Sequence, residues 1–275
     1  MSRLVVLGCG FAGSALARRR ARAGGGVLGV VRRQSEVEAL AAQGVEAIAG
    51  DPFDAALVAR VARAGDELAV CFPPDGETDA RVAPALTEAR AAVYLSSTGV
   101  YGARVGRIDE DTPLDLATEK SRARAEAEAL WRAQGATVLR AAGIYGPGRG
   151  LHRRVLEGRH ALPDGGLRVV SRVHVDDLAA IMDACLARAL RGETFVVADA
   201  TPVPQREAVE WLCARLGVAT PEVATGEAVP ETLRHDRAID SARVLRATGV
   251  RLRYPGYREG FAHCLAEEGV SLRDR

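Results

Sequence analysis

Short apolar runs alternate with longer helical stretches over the first 145 residues of the chain. The runs are mostly apolar and show no regular alternation with polar residues, which is typical of parallel strands that are buried on both faces of a sheet. They predict strands at Arg3–Leu7, Val27–Val31, Glu46–Ala49, Glu67–Cys71, Val93–Ser96 and Thr137–Arg140. The stretches between them predict helices at Gly13–Ala23, Ser35–Gln43, Phe53–Arg63, Ala80–Ala89 and Glu119–Gln134. With right-handed crossovers, this order gives an α/β fold with a doubly wound parallel sheet.

The alternation breaks after Tyr145, where residues 146–150 read Gly-Pro-Gly-Arg-Gly. Beyond this turn the pattern predicts an extended segment, two helices and a strand, at Val169–Val175, Asp176–Arg188, Gln205–Leu216 and Thr194–Ala198. We therefore expect residues 1–145 to form the core and 146–275 a small C-terminal accessory lobe, with about 169–200 returning to the core.

A glycine-rich turn joins the first predicted strand to the first predicted helix. Residues 8–13 read Gly-Cys-Gly-Phe-Ala-Gly and fit the pattern G-x-G-x-x-G. Gly8 allows the tight turn, Gly10 lets the backbone approach a pyrophosphate, and Gly13 lets the helix pack closely on the strand. Because a helix N-terminus offers unpaired N–H groups, Phe11 and Ala12 join the glycines as candidate cofactor contacts. The turn predicts a dinucleotide-binding site.

The residues after the second predicted strand select between the nicotinamide cofactors. NAD sites place an acidic residue there, about 20 residues beyond the glycines, to bind the ribose hydroxyls. This chain has Arg32 and Arg33 instead, and a guanidinium suits the 2′-phosphate of NADP. The cofactor prediction is therefore NAD(P), with NADP(H) favoured, and a solvated arginine pair is the alternative.

Two further loops are expected to border the cofactor. Asp51 follows the third predicted strand and is placed to accept from the adenine amino group, with a helix N-cap as the equal alternative. Phe72 and Pro73 follow the fourth strand, and the proline would stiffen the loop against the cofactor. A plain turn is the alternative for that loop.

Composition excludes several classes of partner. The formal net charge of +1 gives no basic footprint for nucleic acid or an anionic membrane. No apolar run approaches the roughly 18 residues of a membrane span. The cysteines are scattered without metal-like spacing, so we expect free thiols, no metal and a cytoplasmic protein. The expected partner is a small-molecule substrate, and a homodimer is compatible with the sequence.

Several segments in order resemble the extended short-chain dehydrogenase/reductase family, which includes nucleotide-sugar epimerases and dehydratases. They are the glycine turn, Gly50-Asp51, residues 94–102 (YLSSTGVYG), residues 140–148 from Arg140 through Tyr-Gly-Pro-Gly, and residues 173–178 (VHVDDL). The resemblance covers roughly residues 3 to 200 and implies a Rossmann-type fold. It also implies that His174 and the two aspartates after it form a packing and hydrogen-bonding element.

The resemblance implies a serine after the fifth strand and a Tyr-x-x-x-Lys pair on the next helix. Ser97 matches the serine, but the helix contains no tyrosine. Anchored on Glu128, the family pattern places Lys120 at the tyrosine position and Arg124 at the lysine position. A second register, anchored on Glu126, places Thr118 and Arg122 there.

Candidate catalytic residues are accordingly Ser97, Lys120 and Tyr145, and Arg124 is a candidate for binding the cofactor ribose. A desolvated Lys120 would exchange protons more readily because burial and like charge disfavour the cation, and a solvent-facing lysine is the alternative. Two functions follow from the sequence. One is an epimerase/dehydratase-like oxidoreductase acting on a carbonyl or a sugar-nucleotide hydroxyl, and the other is a catalytically silent NADP(H)-sensing protein.

Overall fold

A computed structural model of the protein describes residues 2–75, 77–86, 88–224 and 236–273. Its strands are β1 (Leu4–Leu7), β2 (Val27–Val31), β3 (Glu46–Ala49), β4 (Glu67–Val70), β5 (Ala91–Ser97), β6 (Gly106–Ile108), β7 (Thr137–Ala141), β8 (Gly143–Tyr145), β9 (Leu162–Pro163), β10 (Val169–Val170), β11 (Arg172–His174), β12 (Thr194–Val197), β13 (Val203–Pro204), β14 (Val223–Ala224) and β15 (Arg237–Ile239). Its helices are α1 (Phe11–Arg22), α2 (Gln34–Ala41), α3 (Ala55–Val61), α4 (Thr78–Val82), α5 (Glu119–Ala133), α6 (Leu151–Leu156), α7 (Val175–Ala187), α8 (Gln205–Leu216), α9 (Ala242–Thr248) and α10 (Tyr257–Glu267).

The central sheet has seven strands in the order β12-β7-β5-β4-β1-β2-β3, and every pair in it is parallel. This is the doubly wound Rossmann-like α/β fold that the sequence predicts. The chain turns to opposite sides of β1 when it passes to β2 and later to β4. The carboxyl ends of β1 and β4 therefore border the crevice in which open α/β sheets bind ligands.

Side chains alternate between the two faces of the sheet, and each face has its own helices. Leu4 and Val6 of β1 pack on one face with α1, α2 and α7. Val5 and Leu7 point to the other face, where they pack with α3 and α5. Because both faces are covered, β1 is buried throughout, which explains its uniformly apolar sequence.

The C-terminal part of the chain contributes to both the sheet and the lobe. β12 forms one edge of the sheet and α7 packs against α1, whereas α6, α8 and α10 share a separate apolar core. β15 returns from near the C-terminus to pair with β6. Of the predicted accessory tail, residues 225–235 lie outside the described residues. In the ranges described, no helix is both long enough and apolar enough to span a membrane.

The predicted helix over Ala80–Ala89 differs most from the structure. α4 ends at Val82, and a 3₁₀ turn follows at Ala83–Leu86. Pro84 lies inside that turn, and a proline cannot donate the backbone hydrogen bond that would continue an α-helix. The prediction that the helix reaches Ala89 is therefore wrong.

A buried polar network ties α5 to the sheet. Glu128 of α5 accepts from Arg140 of β7 at 2.7 Å and from the Ser96 hydroxyl at 2.5 Å. Arg140 also donates to the Tyr101 hydroxyl at 2.9 Å, which in turn donates to the carbonyl of Asp109 at 2.8 Å. All four side chains are buried, so the network joins one helix, two strands and the loop after β5.

Replacing Glu128 with alanine should destabilise the fold strongly, because it leaves the Arg140 guanidinium buried without its carboxylate. We expect a loss of about 3–5 kcal/mol in the free energy of unfolding, measured by urea denaturation. Glu36→Ala is the matched control, since it removes an exposed ion pair with Arg33 and should cost less than about 1 kcal/mol. Equal losses in the two variants would contradict this role for the buried network.

Candidate active site

The glycine turn has the close contacts that its sequence predicts. Gly8 has a φ of 80°, and a Cβ on it would lie 3.1 Å from the backbone nitrogen of Phe72. A Cβ on Gly13 would lie 2.7 Å from the carbonyl oxygen of Gly8. Gly10 differs, because a Cβ there would meet nothing within 4 Å. Gly8 and Gly13 thus meet packing requirements, whereas Gly10 faces the open space into which a ligand fits.

Helix α1 begins at Phe11 and points its N-terminus into this space. Its N-cap is Gly10, which provides no side-chain hydrogen bond, and its first turn contains no acidic residue. The free N–H groups of Phe11, Ala12 and Gly13 and the positive end of the helix dipole therefore suit an anionic group. This arrangement fits the pyrophosphate of a dinucleotide.

A cavity of about 500 Å³ extends from the turn along the ends of β2 and β4, and Pro73 is among its lining residues. Arg32 and Arg33 line it at the end of β2. Arg32 is exposed, and its guanidinium lies 5.1 Å from the centre of the Phe53 ring. Arg33 instead donates to Glu36 at 2.7 Å, and this hydrogen bond lowers the pKa of the Glu36 carboxyl.

The two loops expected to border the cofactor differ in their relation to this cavity, since Phe72 and Pro73 line it whereas Asp51 precedes Pro52, which does. Phe72 is buried, and its ring meets Phe53 edge-to-face with centroids 4.8 Å apart. Asp51 accepts from the backbone N–H of Phe53 at 3.0 Å. The N-cap of α3 is Asp54 rather than Asp51, so the N-cap alternative for Asp51 is wrong.

Ser97 ends β5 at the carboxyl edge of the sheet. Its hydroxyl oxygen accepts from the backbone N–H of Gly99 at 3.1 Å, and this bond starts the 3₁₀ turn at Thr98–Tyr101. The residue is half-buried and lines a second cavity of about 160 Å³ together with Gly143 and Ser171. Because the Gly99 contact uses a lone pair, the hydroxyl hydrogen of Ser97 can be directed toward a ligand.

The structure distinguishes the two registers of α5. Arg124 is half-buried, and its Nε lies 4.0 Å from the position that a Cβ on Gly99 would occupy. Arg122 is exposed and donates to the carbonyls of Leu116 and Ala117, while Thr118 caps the helix. The register that places Arg124 at the lysine position therefore brings that side chain to the Ser97 turn.

Lys120 lies in the first turn of α5 and is exposed. It is thus in the solvent-facing state rather than the desolvated one.

Tyr145 is placed in the core of the lobe rather than at the sheet edge. Its ring packs between those of His174 and Phe261, and its hydroxyl closes directly on Gly260 of α10. Burial raises the pKa of its phenol well above the ordinary value. Both the location and the pKa are unsuited to proton exchange with a ligand near Ser97, so we do not retain Tyr145 as a catalytic candidate.

Arg237 is a site residue that the sequence analysis missed. It is buried beside the cavity of Ser97 and donates to the carbonyls of Thr98 at 2.7 Å, Arg104 at 2.9 Å and Gly102. It therefore fixes the loop that carries Ser97. Residues next to Arg237 in the sequence carry no signal for this role, because the contact depends on the pairing of β15 with β6.

His174 and Asp177 have structural roles, as the resemblance implies. The Nδ1 of His174 accepts from the backbone N–H of Asp176 at 3.2 Å and caps α7. Asp177 accepts from the backbone N–H groups of Arg253 and Tyr254 at 2.8 and 2.9 Å. His263 adds a second imidazole within 4.8 Å of His174 and Asp176. The lone pair that His174 would offer a metal is already used by the helix cap.

A family model decides the relationship of this chain. The model of the NAD dependent epimerase/dehydratase family matches residues 4–198. The chain belongs to this family. The open cradle at Gly10 and the uncapped start of α1 fit the nicotinamide dinucleotide that the family uses.

Individual relatives agree with this membership. The chain is 27% identical to Protein YeeZ of Escherichia coli strain K12, over 93% of this chain and 97% of that protein. It is 30% identical to a 3-diazoavenalumate denitrifying reductase of Streptomyces, but the match spans only 56% of this chain and 57% of the reductase. The fold matches dTDP-glucose 4,6-dehydratase of Bacillus anthracis, solved with NAD, with a TM-score of 0.78, 21% identity and 98% of both chains covered.

The two glycines that end the motif should respond differently to a methyl group. Gly13→Ala should destabilise the protein by about 1–3 kcal/mol, because its Cβ would lie 2.9 Å from Val6 Cγ1 as well as against Gly8. Gly10→Ala should cost less than about 1 kcal/mol and should mainly weaken dinucleotide binding. Urea unfolding and a dinucleotide titration of both variants test this. Undiminished binding by Gly10→Ala would argue against the cradle.

Proposed function

We propose that the protein is an epimerase/dehydratase-like oxidoreductase that binds NAD(P) and acts on a carbonyl or a sugar-nucleotide hydroxyl. The observation that carries the proposal is that Ser97 and the Arg124 side chain both lie at the turn after β5, at the carboxyl edge of the sheet and two strands away from the glycine turn. A bound nicotinamide supplies or accepts the hydride in such chemistry. The similarity to a reductase from Streptomyces supports hydride transfer as the reaction class.

In this proposal Ser97 orients and polarises the substrate oxygen. Its hydroxyl is held by the N–H of Gly99, and the Ser97 loop is held by Arg237, so the donor is positioned before the substrate binds. Such preorganised donors stabilise negative charge that develops on a carbonyl oxygen.

Arg124 supplies a fixed positive charge beside this hydroxyl. A guanidinium stays protonated, so Arg124 binds ribose hydroxyls or a substrate oxygen but does not exchange protons. Lys120 belongs to the proposal only as a candidate acid that reaches the substrate from the exposed start of α5.

We also infer that NADP(H) is preferred over NAD(H). Arg32 is exposed at the end of β2 and lines the cavity of the glycine turn, where a 2′-phosphate would lie. Its stacking on Phe53 holds the guanidinium without consuming its charge. The carboxylate of Glu36 also borders this cavity, but its ion pair with Arg33 reduces its repulsion of a phosphate.

A catalytically silent NADP(H)-sensing protein is the second candidate. The observation that favours it is that α5, with the sequence EKSRARAEAEALWRA, contains no tyrosine. The tyrosines of the family-like segments, Tyr94, Tyr101 and Tyr145, are all buried, and burial raises the pKa of each.

Arg32→Ala should raise the Kd for NADPH by about tenfold to a hundredfold, because it removes a charge-assisted contact to the 2′-phosphate. The Kd for NADH should stay within about twofold. Calorimetric titration of both cofactors measures the ratio. Arg22→Ala, an exposed arginine at the far end of α1, is the control and should bind both like wild type. Equal losses for NADPH and NADH in Arg32→Ala would refute the NADP preference.

A turnover screen with carbonyl compounds and nucleotide sugars separates enzyme from sensor. If the protein is an enzyme, Ser97→Ala should lower kcat at least about tenfold while the cofactor Kd is retained, since it removes a donor to the reacting oxygen. Lys120→Ala tests the amine in the same assay. If the amine is the acid, the pH dependence of kcat in this variant should lose one limb. Cofactor binding without wild-type turnover on any substrate would support the sensor.

A further inference from the structure

Arg149 lies over the start of the cofactor-binding helix, although it is far from it in sequence. Its guanidinium carbon is 5.1 Å from the centre of the Phe11 ring. Phe11 is the first residue of α1 and directly follows Gly10. Arg149 is exposed, so this ring contact does not result from burial in the core.

The position is electrostatically unfavourable for a cation in the absence of a ligand. A helix N-terminus carries a partial positive charge and repels a nearby guanidinium. The first turn of α1 has no acidic residue, and among the residues that the structure describes no carboxylate lies within ion-pair distance of Arg149. An anion between the helix start and Arg149 would turn this repulsion into attraction on both sides.

The loop that carries Arg149 is held in place by contacts on both of its sides. Gly146 and Arg149 exchange two backbone hydrogen bonds of 2.9 Å, which close a tight turn. A Cβ on Gly146 would lie only 3.1 Å from Cζ of Phe11, so the turn rests directly on that ring. At the other side, Glu268 accepts from the N–H of Gly148 at 2.7 Å and from His152 at 2.8 Å.

From this arrangement we infer that Arg149 binds the pyrophosphate of the dinucleotide. The inference rests on the proposed function and adds a contact from the C-terminal lobe to the backbone N–H groups of the glycine turn. Phe11 holds the guanidinium beside the helix start, and the Glu268 contacts connect the loop to the end of α10. Dinucleotide binding therefore links the core of the fold to the lobe.

The test compares ligands that differ in phosphate content. Wild type, Arg149→Ala and Arg149→Lys are titrated calorimetrically with NADPH, NADH, ADP and adenosine. Arg149→Ala should raise the Kd for the dinucleotides and ADP by about tenfold or more, since a charge-assisted hydrogen bond is lost, and should leave adenosine unchanged. Arg149→Lys keeps the charge but not the planar fork, so its Kd values should lie between those of wild type and Arg149→Ala.

Arg253→Ala is the matched control, because Arg253 is also exposed and lies 5.3 Å from an aromatic ring, that of Tyr254. It should bind every ligand like wild type. An unchanged Kd for ADP in Arg149→Ala overturns the inference, as does an equal loss for ADP and adenosine, which would indicate a purely structural effect on the turn. If wild type binds neither dinucleotide, the proposed function fails as well. If wild type binds and Arg149→Ala binds equally, only this inference fails.

Discussion

The buried ion pair between Arg140 and Glu128 is the constraint on which the half of the structure around Ser97 depends. If either charge left the interior, the other would remain buried without a partner, which is energetically costly. The ion pair therefore holds β7 and α5 in one relative position. This fixes the rotation of α5 about its axis. Arg124 precedes Glu128 by one helical turn and therefore lies on the same face, toward the sheet edge. Lys120 lies one turn closer to the N-terminus of α5, where the helix begins and the residue is exposed.

The same network separates the two serines at the end of β5. Successive side chains of a strand point to opposite faces, so Ser96 is directed to Glu128 while Ser97 is left for the site. Tyr101 is drawn into the network by Arg140, which explains why its phenol is buried. The structure thus uses one serine and one tyrosine of the family-like YLSSTGVYG segment for support and leaves Ser97 at the lining of a cavity.

The sheet and the glycine turn could be predicted because their signals are local. A buried parallel strand such as Val27–Val31 is apolar throughout, and its observed bounds equal the predicted ones. The short pairings of β6 with β15 and of β9 with β14 have only two or three residues per strand and no period to detect. Arg237 and Arg149 act through contacts with residues far along the chain, so their own sequence neighbours carry no trace of the role. Tyr145 illustrates the converse, because its family-like motif does not indicate which way its ring packs.

The charge distribution around the crevice also explains why the net charge of the chain does not indicate an anion-binding site. The chain is nearly neutral. The start of α1, Arg32 and Arg124 nevertheless all lie at the carboxyl edge of one sheet. Arginines inside the fold, such as Arg140, are instead neutralised by acidic partners. Positive potential is therefore concentrated where a dinucleotide would bind. Within the proposed function, this potential extends to the substrate oxygen through Ser97 and Arg124. A fixed cation and an oriented hydroxyl stabilise a developing oxyanion by charge and hydrogen bonding, which is a chemical task that does not require the phenol that α5 lacks.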